Sequence, residues 1–118
     1  WVGFQGKCYY FSKTYSDWNS SRQNCTDEGA SLAIIDNEEE KAFLLEQMGL
    51  GNHWIGLHRA EGAATWTWID GTTFTNWFEL RGESGYAYLN KDRIGAGLSH
   101  TKKKWVCSKP DEYVLWNR

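Results

Sequence analysis

The chain has 118 residues, 24% of them charged and 41% hydrophobic, with a formal net charge of -2. That composition fits a soluble globular domain of ordinary size, and the charge balance excludes a protein that works by bulk basicity on nucleic acid or a membrane surface. No apolar run approaches the roughly 18 residues that a spanning helix needs, and Trp1 standing where an initiator Met would be reads as a trimmed ectodomain or mature fragment.

Residues 2–12 read as an opening strand pair with a tight turn at Gly6. Ser16 is placed to cap a helix from about Asp17 to Asp27, with Asp17 favourable to the helix dipole and Trp18, Ser21 and Cys25 on one face. Gly29 ends it, and Ser31–Ile35 is a short apolar strand. Asp36 or Asn37 caps a second helix, with Glu38, Glu39 and Glu40 in its first turn and Phe43, Leu44 and Met48 inward; Gly49 and Gly51 stop it. His53–Leu57 then reads as a strand, and Thr65–Ile69 alternates before a hairpin-type turn at Asp70-Gly71. Residues 78–103 form a long polar stretch whose one short strand holds Tyr86, Tyr88 and Leu89. Lys104–Cys107 is the last strand. Helices followed by strands give an α+β order. No linker, repeat or low-complexity stretch divides the chain, so one domain over residues 1–118 is expected.

Eight tryptophans stand in 118 residues, most of them in short ordered phrases. Indoles are large, rigid anchors with one polar edge. Trp54, Trp66, Trp68 and Trp105 are expected to pack together in the core, and Trp77 to lie half exposed beside Phe78. The three cysteines, Cys8, Cys25 and Cys107, contain no CxxC pair and no neighbouring His at a zinc-ligand spacing. Asn19-Ser20-Ser21 and Asn24-Cys25-Thr26 are glycosylation sequons, so Asn19 and Asn24 are candidate acceptors. Sequons and cysteines together favour an oxidising compartment.

The phrases Gly6-Lys7-Cys8-Tyr9-Tyr10, Gly29 to Asp36, Trp54-Ile55-Gly56-Leu57, Trp68-Ile69-Asp70-Gly71, Asn76-Trp77 and Trp105-Val106-Cys107 come in one order over nearly the whole chain. In that order and spacing the sequence resembles the C-type lectin-like domain. Trp1-Val2-Gly3-Phe4, Ala87-Tyr88-Leu89-Asn90 and Lys104 to Lys109 resemble the branch that holds the lymphocyte early-activation antigen, the lectin-like transcript and the osteoclast-inhibitory lectin proteins. The resemblance implies two helices packed on two small antiparallel sheets with a long loop region. It implies the extracellular part of a type II membrane protein at the cell surface, attached through an anchor outside this sequence. It also implies a homodimer, built on the strand near Val2–Phe4 or on a helix, and a lectin-like immune receptor as partner. Cys25 and Cys107 match the family's long-range disulfide, which by loop entropy is worth on the order of 4–5 kcal/mol. Cys8 matches a cysteine that pairs a few residues upstream of Trp1; otherwise it is unpaired or bridges two chains. The family's inner disulfide cannot form here, because Tyr86 takes its first position and Ser99 or His100 its second. The 78–103 segment is therefore expected to be mobile, or tied down by Tyr86 and Leu98.

Calcium-dependent sugar binding requires about 6–8 oxygen ligands, several of them carboxylate. Sugar-binding relatives carry a proline-centred triplet after Asn-Trp and an acidic triplet before the last strand. Here Phe78 to Ser84 holds no proline, and Thr101-Lys102-Lys103-Lys104 puts ammonium groups where carboxylates are needed. No metal or cofactor is expected. The lysine run without aromatic interleaving reads as a charged loop rather than a nucleic-acid patch. His53, His58 and His100 lack the context of a catalytic base; His53 reads as a strand-edge residue and His100 as exposed. No catalytic residue is assigned. The mixed charges suit a protein-binding face. The residues expected to carry it are Phe78, Arg81, Glu83, Tyr88, Lys91, Arg93, His100, Lys102 and Lys103, with core packing as the other reading of Tyr88. The alternatives are a weak, calcium-independent glycan site at Trp77 and Phe78, and a viral decoy lectin.

Overall fold

The chain opens as a hairpin: β1 (Val2–Phe4) and β2 (Lys7–Phe11) pair antiparallel around Gln5 and Gly6. Both turn residues take positive φ, 49° and 79°, the hand that matches strand twist in a two-residue loop. The computed structural model describes residues 1–111, so the last seven residues of the expected 1–118 domain, 112–118, lie outside the described part.

Helix α1 (Trp18–Asp27) is capped by Asp17, whose carboxylate accepts from the Ser20 N–H at 2.7 Å. The expected cap, Ser16, is instead held extended by two 2.9 Å backbone bonds to Lys103. The apolar run 31–35 is a strand only over β3 (Ser31–Leu32). At Ala33 the backbone divides its bonds, donating to Val106 and accepting from Gly56, and the ladder ends. Helix α2 (Glu38–Gln47) takes Asn37 as its cap, accepting from the Glu40 N–H at 2.8 Å. Leu44 and Met48 are buried, and Phe43 stacks on Phe4 at 4.3 Å.

The remaining strands are β4 (His53–His58), β5 (Thr67–Trp68), β6 (Leu80–Arg81), β7 (Tyr86–Asn90), β8 (Arg93–Gly97) and β9 (Lys104–Pro110). They run in the order β1-β2-β9-β4-β7-β8-β6, with β3 on β9 and β5 on β4. Two separate antiparallel sheets were the expectation; here β9 joins them. Its residues 106–110 pair antiparallel with β2, while Lys104 and Trp105 pair in parallel with His53 and Trp54. β6 also runs parallel to β8, so the sheet is mixed. The 78–103 stretch holds three strands rather than one.

Successive residues of β4 point to opposite faces, and that alternation divides the core. Ile55 and Leu57 join Trp66, Trp68, Phe74, Leu89 and Val106 on one side. Trp54 joins Trp18, Leu32, Trp105 and the Cys25–Cys107 disulfide on the other. The four tryptophans therefore form two nests, not one. The disulfide spans Cα atoms 5.4 Å apart and 82 residues of sequence.

Glu40 is the one acidic side chain among the buried described residues, 2% exposed. Its carboxylate accepts from the Tyr9 hydroxyl, from Lys7 Nζ at 3.0 Å and from the Asp36 N–H at 2.8 Å. Three elements are thereby pinned together: the hairpin, the 33–37 crossing and α2. Replacing Glu40 by Ala strands a buried hydroxyl and a half-buried ammonium. We expect a loss of about 2–3 kcal/mol in denaturant unfolding. An unchanged midpoint would show that the network contributes nothing net.

Candidate recognition site

Strand β7 alternates strictly. Ala87 and Leu89 are buried, and Tyr86, Tyr88 and Asn90 lie half-buried on the opposite face. On that face Tyr88 pairs with Gly95 of β8. A Cβ at Gly95 would sit 2.3 Å from the Tyr88 ring, and one at Gly97 would sit 3.4 Å from it. Only glycine lets the ring lie across the strand. Trp54 meets Tyr88 edge-on at 6.1 Å. Above both rings stands the Lys103 ammonium, 4.4 Å from the Tyr88 centroid and 5.1 Å from Trp54. Each such contact is worth about 0.5–2 kcal/mol, rising with desolvation. Burial lowers the Lys103 pKa from its ordinary value. None of the ion pairs among the described residues involves Lys103. Tyr88 is thus both half core and half surface.

Phe78, Arg81, Lys91 and Arg93 line a neighbouring groove of about 340 Å³, completed by Lys41 and Leu45 of α2. Arg81 bonds Glu79 at 2.7 Å with both side chains exposed, and Lys41 pairs with Glu38 at 3.2 Å. Trp77 is half-buried, packed T-shaped on Phe78 at 4.8 Å, and the Lys41 ammonium covers both rings at 5.9 Å.

Glu83 and His100 line a second, larger groove of about 630 Å³ with Arg59, Tyr86 and Leu98. The Arg59 guanidinium donates to the carbonyls of Glu83 at 2.9 Å and Ser84 at 3.3 Å, and lies 4.6 Å from the Trp66 ring. Tyr86 packs on Trp18 at 4.9 Å. Leu98, the other residue expected to tie the loop down, is 54% exposed and does not. The Trp18 N–H holds the segment instead, through the Ser99 carbonyl at 2.9 Å. Lys102 is exposed near Asp17, whose pKa it helps its Ser20 bonds to lower. The nine expected residues therefore occupy two grooves, the Tyr88–Lys103 stack and one lone lysine. Lys41, Trp54, Arg59 and Gly95 complete these places and were not singled out. Gly95 carried no usable signal, because the strand that holds it was not legible in the sequence.

The stretches at the calcium-ligand positions do not fit an oxygen cage. Glu79 is engaged by Arg81, and Lys103 occupies the second stretch with its positive charge. Among the described residues no three of His, Cys, Asp and Glu come together at a metal-binding spacing.

Asn19 and Asn24 are exposed on α1. Cys8 is half-buried with no disulfide partner among the described residues; burial and Asp111 push its pKa up. His53 is not at a strand edge. It is 1% exposed on β4, between β7 and β9, and its Nδ1 lies 3.2 Å from the Gly51 carbonyl. Burial, then the charge of Lys104, lowers its pKa, while burial and Arg22 lower that of His58 beside Trp18.

Two outcomes follow from this geometry. Gly95→Ala drives a methyl into the Tyr88 ring; we expect a loss of about 1–3 kcal/mol and the disappearance of ring-current shifts on the Lys103 side chain by NMR. The histidines set the pH response. Unfolded, each takes a proton near 6.5, whereas the folded forms resist it. Their stabilisation is full above pH 6.5, declines as pH falls through that value, and levels below the folded pKa. Thermal scans between pH 7.5 and 5.5 should show a falling Tm, and a flat profile would contradict the burial of His53.

The Lectin C-type domain model matches residues 14–109. The human protein named C-type lectin domain family 2 member B is 50% identical over 109 residues, 92% of this chain and 72% of its own length. Human C-type lectin domain family 2 member D is 42% identical over 114 residues, 97% of this chain but only 59% of that protein. Among solved structures, the natural killer cell receptor Ly49C superposes with a TM-score of 0.80 at 27% identity, covering 92% of this chain and 90% of that one. The half-buried aromatic sheet, the long-range disulfide and these matches agree: the chain belongs to the C-type lectin domain family, whose members are recognition proteins rather than enzymes.

Proposed function

We propose that this domain docks a lectin-like receptor protein on a facing immune cell, without calcium, through the face built by β6, β7, β8 and the 98–103 segment. It is displayed at the cell surface as the outer part of a type II membrane protein and works as a homodimer. The observation that carries this reading is the Lys103 ammonium seated on Tyr88 and Trp54, where a calcium cage would need anionic oxygen. Exposed Arg81, Lys91 and Arg93 with Glu79 and Asp92 in one groove, Glu83 in the other, and Lys102 give this face mixed sign, able to steer one partner and reject others. The likeness to family 2 proteins and to a natural killer cell receptor supports an immune lectin-like protein as partner. Glycan binding at Trp77 and Phe78 has less support, because those rings pack on each other beneath Lys41 and leave little open aromatic face.

Tagged dimeric protein should retain a killer-cell lectin-like receptor in a pull-down, equally with and without chelator. The double variant Arg93→Glu, Lys102→Glu should weaken that binding at least about tenfold while leaving the Tm unchanged. Undiminished affinity, or binding abolished by chelator, would overturn the reading. A glycan array that lights up with no receptor captured would favour the sugar site instead.

A further inference from the structure

The face of the β1–β2–β9 sheet that looks toward α1 carries two large aromatics left open to solvent: Trp1 is 49% exposed and Tyr10 37%. Their rings lie 5.7 Å apart, and the Lys109 ammonium sits 4.3 Å from the Trp1 centroid. Opposite them runs the C-terminal half of α1, fixed at this distance because Tyr10 pairs with Cys107 and Cys107 is bonded to Cys25. The space between is a groove of about 450 Å³, and Asn24 of the Asn24-Cys25-Thr26 sequon is one of its walls. Asp27 and Glu28 line the same groove.

We infer that this groove seats the innermost N-acetylglucosamine of a glycan carried on Asn24. A pyranose has one face of C–H groups that packs on an aromatic ring and a rim of hydroxyls that need acceptors. Tyr10 and Trp1 supply the first, and the Asp27 and Glu28 carboxylates supply the second. The occupant is tethered to the wall of its own site, so its effective concentration is high without any affinity for free sugar. Attachment precedes folding. The Cys25 partner lies 82 residues further on, so the sequon is presented to the secretory machinery while its cysteine is still unpaired. In that transfer Asn24 Nδ2 bonds to C1 of a lipid-pyrophosphate-linked oligosaccharide and loses a proton. The C1–O bond breaks, and its electron pair leaves with the lipid pyrophosphate. The seat lies apart from the 78–103 face, so it stands whether or not the proposed receptor docking does.

The test uses protein from a secretory host, with Ser21→Ala removing the Asn19 sequon, trimmed by endoglycosidase to a single N-acetylglucosamine on Asn24. In the parent, NMR should show the sugar's ring and acetyl protons shifted upfield by the Tyr10 and Trp1 rings. The trimmed form should melt about 2–4 °C higher than the Thr26→Ala variant, which lacks the sequon. In Tyr10→Ser, with Asn24 still occupied, both the shifts and that Tm difference should vanish. If Tyr10→Ser fails to fold, Trp1→Ser serves the same comparison. An unmodified Asn24, sugar protons at solvent positions, or a Tm gain that survives both substitutions overturns the inference. So does a crystal structure of the glycosylated chain in which a second copy, not the sugar, fills the groove.

Discussion

The structure depends on the seating of β9. The strand comes last among those described, yet it is central: it bonds β2, β3 and β4, and through Cys107 it holds α1. Even its entry is fixed from afar, since the Trp105 N–H donates to Ser12 Oγ across 93 residues of sequence. Closing loops of that length is costly in chain entropy, but the cost grows slowly, about 0.6 kcal/mol per doubling. A covalent link over 82 residues offsets much of it. Once β9 is in place, the 78–103 segment is anchored within its length by β7 on β4 and at its far end by Lys103 on Ser16.

That anchoring explains how the segment keeps three strands without an inner disulfide. Trp18 is the junction. Its backbone N–H holds Ser99, its indole N–H donates to the Ile55 carbonyl at 2.9 Å, and its ring carries Tyr86. One aromatic pair contributes about 0.5–1.5 kcal/mol beyond burial and one hydrogen bond about 1 kcal/mol, against about 2–4 for a disulfide. Tyr86 and Ser99 thus hold the segment's base by contacts that are weaker and reversible. Its outer edge, from Leu98 to Lys102, is where side chains stand free of the core.

Much of this was legible in the sequence, and the gaps have physical causes. Both helices were readable because caps and glycine stops are local signals; the errors there were one residue wide, as at Ser16 and Asp17. β8 was hidden because Arg93-Ile94-Gly95-Ala96-Gly97 has low strand propensity, and its glycines answer to the Tyr88 ring, a partner no local pattern reveals. β6 is two residues long and rests on a parallel neighbour. Glu40 looked like a helix-dipole residue; its burial is decided by Lys7 and Tyr9, more than thirty residues away. His53 looked peripheral because it is polar, yet β9 and β7 cover it from both sides. For the site, the chemical types were readable, while their division between two grooves was set by sheet register.

Under the proposed docking role, the adjacent lysines act differently. Lys102 is exposed, so its charge is screened and fully hydrated; it speeds encounter more than it prolongs residence. Lys103 is half-buried over Tyr88 and Trp54 and has already surrendered part of its hydration there, and that burial lowers its pKa. A partner carboxylate reaching it faces a smaller desolvation penalty on the lysine side, and attracts it through a medium less polar than water. The aromatic stack also removes rotamers before binding, so less side-chain entropy is lost when the partner arrives. The glycines at 95 and 97 are what permit that stack, which places the origin of the docking chemistry in the backbone of β8 rather than in the charged rim.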